Sequence, residues 1–497
     1  MPVLRADELV FILPEIILAA TALLVLLADA FAGEERQPGE RRDWIGYLAV
    51  AGIVAAMVAV RREPPEAGTI LAGMVARDGF AAFFKAVFLI ATALVALISI
   101  DYVARRRIAA GEYFCLLLLA TTGALFMAGA ASLLTFYVGL ELLSLSSYAL
   151  AGLMREDPRS QEASLKYFLN GALSSGILLF GISLLYGATG TFDLMELARR
   201  VQELAGAGTN AGPWPLLVLG AAFVIAGLGF KAGAVPFHLW LPDAYQGAPT
   251  PITAYLAVAS EGAAFAAIVR VFFTAFEDAG AVWQTAFLLL AVLTMTVANV
   301  AALRQVDVKR LMAYSSIAHA GYILAAVGAG SDLSRPAVLY YVMAYVFMNI
   351  GAFAVITALQ AQGEGEQLRD YAGLGRREPV LAALLVLFLV SLIGLPLTAG
   401  FMAKVMVFQA LIADGNYWLP VVIALNSVVS VGYYYNLVRY MYVVPSEKEP
   451  VPDAPVQVPA PVWTVLAVCA FFTLALAFWP DVFLRWTSVS TLAMAGF

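Results

Sequence analysis

The side chains able to do acid–base chemistry in this sequence stand inside long apolar runs: Glu141, Lys166, Lys231, His238, Glu261, His319 and Lys404. A charge at the centre of a bilayer costs roughly 2.5–3.5 kcal/mol on insertion scales, so such residues are expected to face a protein-lined or watered interior and to exchange or steer ions. They are densest in residues 226–261, AGLGFKAGAVPFHLWLPDAYQGAPTPITAYLAVASE, where Lys231, His238 and Glu261 share a run with Gly227, Gly229, Gly233 and Pro236. Those glycines and that proline weaken helix. Irregular backbone at membrane depth is tolerated where it is buried in protein or lines a cavity, which is how transporters build ion sites. The stretch reads as an ion path.

Each residue has a chemical and a structural reading. Glu141, in FYVGLELLSLSSYAL, has Tyr137, Ser144 and Tyr148 on its helical face; it is a proton carrier or a carboxylate fixed by a lysine. Lys231 and Lys404 are each alone in apolar sequence, where lysine is readily made to accept and release protons. Lys166, about one turn into its run, either snorkels to the surface or pairs with Glu141. Lys85, also near a run's end, reads as structural. Histidine shuttles protons near neutrality; His238 follows Lys231 by seven residues, the same face of a continuous helix, and His319 lies mid-run. Either is alternatively a satisfied core histidine. No metal pattern joins them, and Cys115 and Cys469, without a C-x-x-C, read as packing residues.

The elements that must position these groups are transmembrane helices. The chain has 497 residues, 62% hydrophobic and 13% charged, with mean hydropathy +0.85, which excludes a soluble protein. Net charge −6 and pI near 5.2 leave no basic footprint for nucleic acid. Apolar runs of about 20 residues predict spans near 9–31, 44–60, 80–100, 113–130, 132–154, 161–188, 214–240, 250–275, 281–302, 308–330, 336–361, 380–412, 417–443 and 462–483. The first run, followed by ADAFAG, resembles a signal peptide only weakly, because its leading segment is not basic. Loops after spans 1, 3, 5, 9 and 11 carry most of the arginines, among them Arg105 to Arg107, Arg304, Arg376 and Arg377. The positive-inside rule puts those loops in the cytoplasm and both termini outside.

Residues 193–204, DLMELARRVQEL, predict a short interfacial helix. Residues 445–461 hold six prolines and read as an extended linker before a last span appended to the core. Span 12, with Gly394, Pro396 and Gly400 before Lys404, echoes span 7, with its glycines and Pro236 around Lys231. The two stand five spans apart, as two inverted five-helix repeats would place them. The expected division is a three-helix segment 1–112, repeats at 113–280 and 281–444, and a linker with span 14 at 445–497.

PFHLWLPDAYQGAPTP (236–251), LKYFLNGALSSGILLFG in span 6, VKRLMAYSSIAHAGY (308–322) and GLPLTAGFMAKVMVF (394–408) resemble one family. It is the subunit N family of proton-translocating NADH:quinone oxidoreductase, respiratory complex I, and the resemblance runs from span 1 to span 14. It implies an all-α polytopic antiporter-like fold of about fourteen transmembrane helices, two inverted five-helix repeats and discontinuous helices 7 and 12. By position, Glu141 matches the family's helix 5 glutamate, Lys231 its helix 7 lysine and Lys404 its helix 12 lysine; Lys166 and His319 fall within the matching helix 6 and helix 10 motifs. Glu261 stands where the family generally has a helix 8 lysine, which puts a lysine-to-lysine transfer in doubt and leaves Glu261 to pair with Lys231 or to take a proton through His319.

The resemblance further implies a proton translocator of a prokaryotic plasma membrane that holds no cofactor itself, with NADH, FMN, iron–sulfur clusters and quinone elsewhere in the complex. Its partners would be sister antiporter-like subunits, other membrane-arm subunits and lipids. The rival readings are a cation/proton antiporter or membrane-bound hydrogenase subunit of the same fold, and a scaffold whose charges only lock helices together.

Overall fold

Runs of apolar residues fold as helices because a bilayer leaves every backbone polar group to be satisfied internally. In the computed structural model, which describes residues 8–32, 42–61, 68–207, 212–361, 365–445 and 458–492, thirteen helices are long and apolar enough to cross a membrane. The chain is a multi-pass membrane protein.

The first segment contains α1 (Leu13–Phe31), α2 (Asp43–Val60) and α3 (Gly79–Arg105). A small hairpin, β1 (Gly68–Ile70) with β2 (Val75–Arg77), precedes α3 and has no counterpart in the sequence reading. Next come α4 (Ala110–Ala128), α5 (Leu133–Ala151) and α6 (Pro158–Thr189). The Ala131 N–H donates to Met74 of the hairpin and the Leu133 N–H to Phe192, at 3.1 and 2.9 Å, so the α4–α5 turn is stitched to the neighbouring loops. α7 (Leu194–Ala207) is the expected amphipathic helix: Leu194, Leu197 and Val201 are buried, while Arg199 and Arg200 pair with Glu196 and Glu203 on its exposed face.

The chain then forms α8 (Trp214–Lys231), α9 (Leu241–Gly247), α10 (Thr250–Tyr255), a π-helical turn at Leu256–Ser260 and α11 (Glu261–Ala275). α12 (Gly280–Ala302), α13 (Val308–Ala329) and α14 (Ser334–Gln360) follow. After the one-turn α15 (Leu374–Arg377) come α16 (Pro379–Ile393), α17 (Ala399–Ala413) and α18 (Trp418–Tyr442). The chain closes with α19 (Ala460–Phe478) and α20 (Pro480–Leu492). Capping is by the side chains expected of helix starts: Asp78, Ser132, Asp157 and Asp307 each accept a backbone N–H of the helix that follows.

The α10–α11 span and α14 are buried along their full apolar windows, whereas those of α1, α6 and α18 are one-third buried. The first two form the axis of the bundle, and the rest ring it.

The expected interruptions of spans 7 and 12 are full breaks, and the appended last span needs correction. Within span 7, drawn from 214 to 240, α8 ends at Lys231. Gly233 takes a left-handed conformation (φ 69°), and the Val235 N–H, lost to the helix, donates to Thr294 Oγ1 at 3.0 Å. Span 12 is two 15-residue helices parted at Gly394, again left-handed (φ 85°). The last span is not an appendage: Tyr340 Oη donates to the Leu476 carbonyl at 2.5 Å, Phe347 stacks on Phe472 at 4.5 Å, and Trp486 of α20 packs on Phe83 of α3 at 4.6 Å. Most of the proline linker lies outside the described residues.

Candidate functional site

The breaks in α8 and in the α16–α17 pair each leave helix C-terminal carbonyls without their usual partners and carry a partial negative charge. A lysine stands at each break. Lys231 is the last residue of α8, 2% exposed; its Nζ donates to Ser144 Oγ of α5 and to Tyr167 Oη of α6, both at 3.1 Å. Glu141, about one turn from Ser144 on α5 and only partly buried, accepts a hydrogen bond from Ser175 Oγ of α6, which also meets Tyr137 Oη at 3.1 Å. Carboxylate and ammonium are therefore held within one turn of the same helix, each through hydroxyls. Tyr167 lies flat on Trp240 at 4.2 Å, and Trp240 Nε1 donates to the Phe230 carbonyl at 3.1 Å, which closes the open end of α8.

Lys404, 5% exposed on α17, donates to the Ile393 carbonyl at the end of α16 (2.7 Å) and to Ser427 Oγ of α18 (2.8 Å), and lies 4.6 Å from the Tyr322 ring centroid. The carbonyl, the hydroxyl and the ring face favour the ammonium.

Between the lysines, at the first residue after the π turn, lies Glu261, 4% exposed. It accepts from Tyr245 Oη of α9, and Ser316 Oγ of α13 lies 3.1 and 3.2 Å from its two oxygens. Ser316 also meets Tyr345 Oη of α14 at 2.7 Å. The Tyr345 ring lies 5.1 Å from that of His319, whose Nδ1 meets Tyr341 Oη at 2.7 Å, and Tyr322, beneath Lys404, lies 5.6 Å from His319 on the other side. Ser260 Oγ and the Asn349 side chain are buried beside the hydroxyls of Tyr167 and Tyr345, with hydrogen-bonding capacity left over. Buried polar groups of that kind recruit water. The result is a series of ionisable side chains, Glu141, Lys231, Glu261, His319 and Lys404, with hydroxyls, tyrosine rings and sites suited to water beside them.

The structure brings together five of the seven sequence-derived residues and sets two aside. Glu261 pairs with neither Lys231 nor the His319 ring directly; tyrosines and a serine stand between. Lys166 does not pair with Glu141. Its Nζ, 43% exposed, bridges Asp243 (2.8 Å) and Glu162 (2.7 Å). Asp243 also meets Arg310 at 2.5 Å; burial pushes its carboxyl pKa up, but the hydrogen bonds and charges of Lys166 and Arg310 outweigh that and hold it below the usual carboxylate range. His238 shares no helical face with Lys231, because the helix stops between them. Lys85 is ion-paired with Glu15 at 3.0 Å in the core of the first segment.

Sequence reasoning missed the buried Asp78–Arg270 pair, which ties the α3 cap to α11, and missed Tyr245, Tyr345 and Ser316 as the groups that surround Glu261. Glu261 itself was the available signal, because a buried carboxylate needs donors, but the sequence does not say which residues supply them. Among the described residues no group of three or more His, Cys, Asp or Glu could hold a metal ion.

Residues 130–430 match the family described as NADH:quinone oxidoreductase/Mrp antiporter, TM. NADH-quinone oxidoreductase subunit N 2 of Symbiobacterium thermophilum is 43% identical over 97% of this chain and 96% of its own length. A chain of respiratory complex I from Thermus thermophilus superposes with TM-score 0.78 at 31% identity, covering 96% of this chain and all of that one. A chain of the membrane-bound sulfane sulfur reductase, an archaeal respiratory membrane complex, shares the fold at TM-score 0.84 and 23% identity over 98% of both chains.

Proposed function

The chain belongs to the NADH:quinone oxidoreductase/Mrp antiporter transmembrane family, on its subunit N branch, and from that premise we propose that it translocates protons as a membrane-arm subunit of an NADH:quinone oxidoreductase. Electrons pass from NADH to quinone in other subunits, which hold the FMN, the iron–sulfur clusters and the quinone; this chain performs the translocation and no redox step. It assembles with other membrane-arm subunits, sister antiporter-like subunits among them, in a prokaryotic plasma membrane, with both termini outside. The α16–α17 pair makes a fourteenth crossing, and residues 113–280 and 281–444 form inverted repeats, each with its lysine at a broken helix.

The observation that carries this reading is the line of buried ionisable groups from Glu141 to Lys404. A change of charge at the partly buried Glu141 alters the field one helical turn away at Lys231, whose ammonium rests on neutral hydroxyls. A proton leaves Nζ, passes through water and hydroxyls to a Glu261 oxygen, and moves on by way of His319 to Lys404 and the outer side. Glu261 serves the transfer as a carboxylate: it alternates between anion and neutral acid where a lysine would alternate between cation and neutral amine. Coupling over this distance requires an element with two states biased from both ends, and the π turn beside Glu261 and the two helix breaks are places where such a change is inexpensive.

The test is Lys231→Ala in the assembled complex, with NADH-driven proton uptake into sealed vesicles measured beside NADH:quinone electron transfer. Proton uptake falling by about tenfold or more with assembly intact supports the reading. Normal values of both would leave Lys231 a structural group and favour a scaffold.

A further inference from the structure

One deeply buried cation takes no part in the line above. Lys309, 1% exposed in the first turn of α13, donates to the Ala248 carbonyl at 2.8 Å and faces Glu366 Oε1 at 3.4 Å. The position is costly for a fixed charge. Burying an ammonium costs several kcal/mol even after relaxation, and the first turn of a helix carries the positive end of its dipole.

The surroundings of Lys309 open to water on one side and lead to Glu261 on the other. Glu366, Asp307, Gln246 and Gln360 line a cavity of about 710 Å³ at the arginine-rich end of the bundle, and Glu366 sits at its junction with Lys309. Inward, Ser316 follows Lys309 by seven residues, so it lies on the same face of α13 about 10 Å deeper. Ser316 touches Glu261. Lys309 against Ala248 and Ser316 against Glu261 thus pin one face of α13 along the α9–α11 stretch. Between those two points the facing stretch offers polar groups: Thr253 Oγ1, which donates to the Tyr245 carbonyl at 2.9 Å, and Tyr245 Oη, on Glu261 itself.

We propose that Lys309 is a second proton-uptake group of this chain, taking protons from the cavity at the arginine-rich end and delivering them to Glu261 alongside the supply from Lys231. This rests on the proton-translocating reading above. In the step, an Nζ–H bond breaks, water alongside Thr253 and Tyr245 carries the proton, and an O–H bond forms on the Glu261 carboxylate; the neutral amine then takes a proton from cavity water. One proton enters, and both groups return to their starting forms when Glu261 passes its proton on.

The test uses Lys309→Arg and Lys309→Met in the assembled complex, with Lys231→Ala alongside, reading proton uptake, electron transfer and assembly on native gels. Arginine keeps the charge and donors of lysine but does not release a proton in proteins. Proton uptake falling severalfold in the assembled Lys309→Arg complex supports a carrier. Near-normal uptake in Lys309→Arg means that a fixed charge suffices and overturns the proposal, whatever Lys309→Met does. If Lys309→Arg pumps normally while Lys231→Ala does not, only the uptake role falls. If Lys231→Ala pumps normally, the translocation reading falls and takes this proposal with it.

Discussion

The two broken helices solve the same problem with different means. At the first break, Lys231 ends its own half-helix and rests on two hydroxyls, with Glu141 one turn away on α5. At the second, Lys404 reaches across from α17 to the end of α16 and rests on a carbonyl, a hydroxyl and a ring. Both lysines use the negative end of a helix to offset burial, but the first has a carboxylate whose charge a neighbour can alter, because Glu141 is partly exposed at the side of the bundle. The second is enclosed. In the proposed translocation, the first break would respond to an outside change and the second would hold and release.

The largest effect should come from removing the enclosed charge. Lys404→Ala is expected to lower NADH-driven proton uptake by about tenfold or more, and Lys404→Arg, which keeps the cation but not the proton release, to do nearly as much. Uptake restored by arginine would mean that Lys404 is an electrostatic anchor and would erase the distinction drawn above. Glu141→Gln comes next, with a severalfold loss of coupled turnover, since it keeps the shape and the Ser175 contact but removes the charge that Lys231 senses. Equal losses from Glu141→Gln and Lys404→Ala would show that both breaks depend on the outside charge.

Smaller, and sharper as a comparison, are the left-handed glycines. Gly233→Ala and Gly394→Ala should each cost about 1–2 kcal/mol of stability from backbone conformation alone. A Cβ at Gly394 would stand 2.8 Å from Lys404 Cδ, while one at Gly233 would meet Leu241 Cδ1 at 2.7 Å. Thermal unfolding of the complex should therefore report both, but proton uptake should fall further for Gly394→Ala. The smallest effect concerns the ion cluster at the arginine-rich end. Asp243 has a depressed carboxyl pKa, so the stability of its contacts with Lys166 and Arg310 is present above the unfolded value near ~4 and is lost as pH falls through the lower folded value. Asp243→Asn should remove that acid-side loss, about 1 kcal/mol given partial exposure, as measured by thermal unfolding between pH 3 and pH 7.

Much of this was legible in the sequence because it is local. Span positions follow from apolar runs, the breaks from Gly233, Gly394 and their neighbours, and the candidate carriers from lone charges in those runs. The expected face shared by Lys231 and His238 failed because helical spacing was carried across a break that the same glycines had announced. Glu162, one partner of Lys166, stands four residues upstream, but the other was invisible for a different reason: Asp243 lies 77 residues away, on the short α9 that follows the break in span 7. Tyr245, Tyr345 and Ser316 were unreadable as a group, since three helices bring them to one carboxylate. The hairpin at residues 68–77 is too short to show an alternating pattern.

A single continuous path requires Glu261 to connect the two breaks. The most direct measurement is the ratio of protons translocated to electrons transferred in sealed vesicles carrying Glu261→Gln, which keeps the size and the contacts with Tyr245 and Ser316 but cannot take up a proton to become a neutral acid. A ratio that falls by the share of one pumping subunit, with assembly and electron transfer retained, is the expected result. An unchanged ratio would contradict a path through Glu261 and leave the two halves working separately.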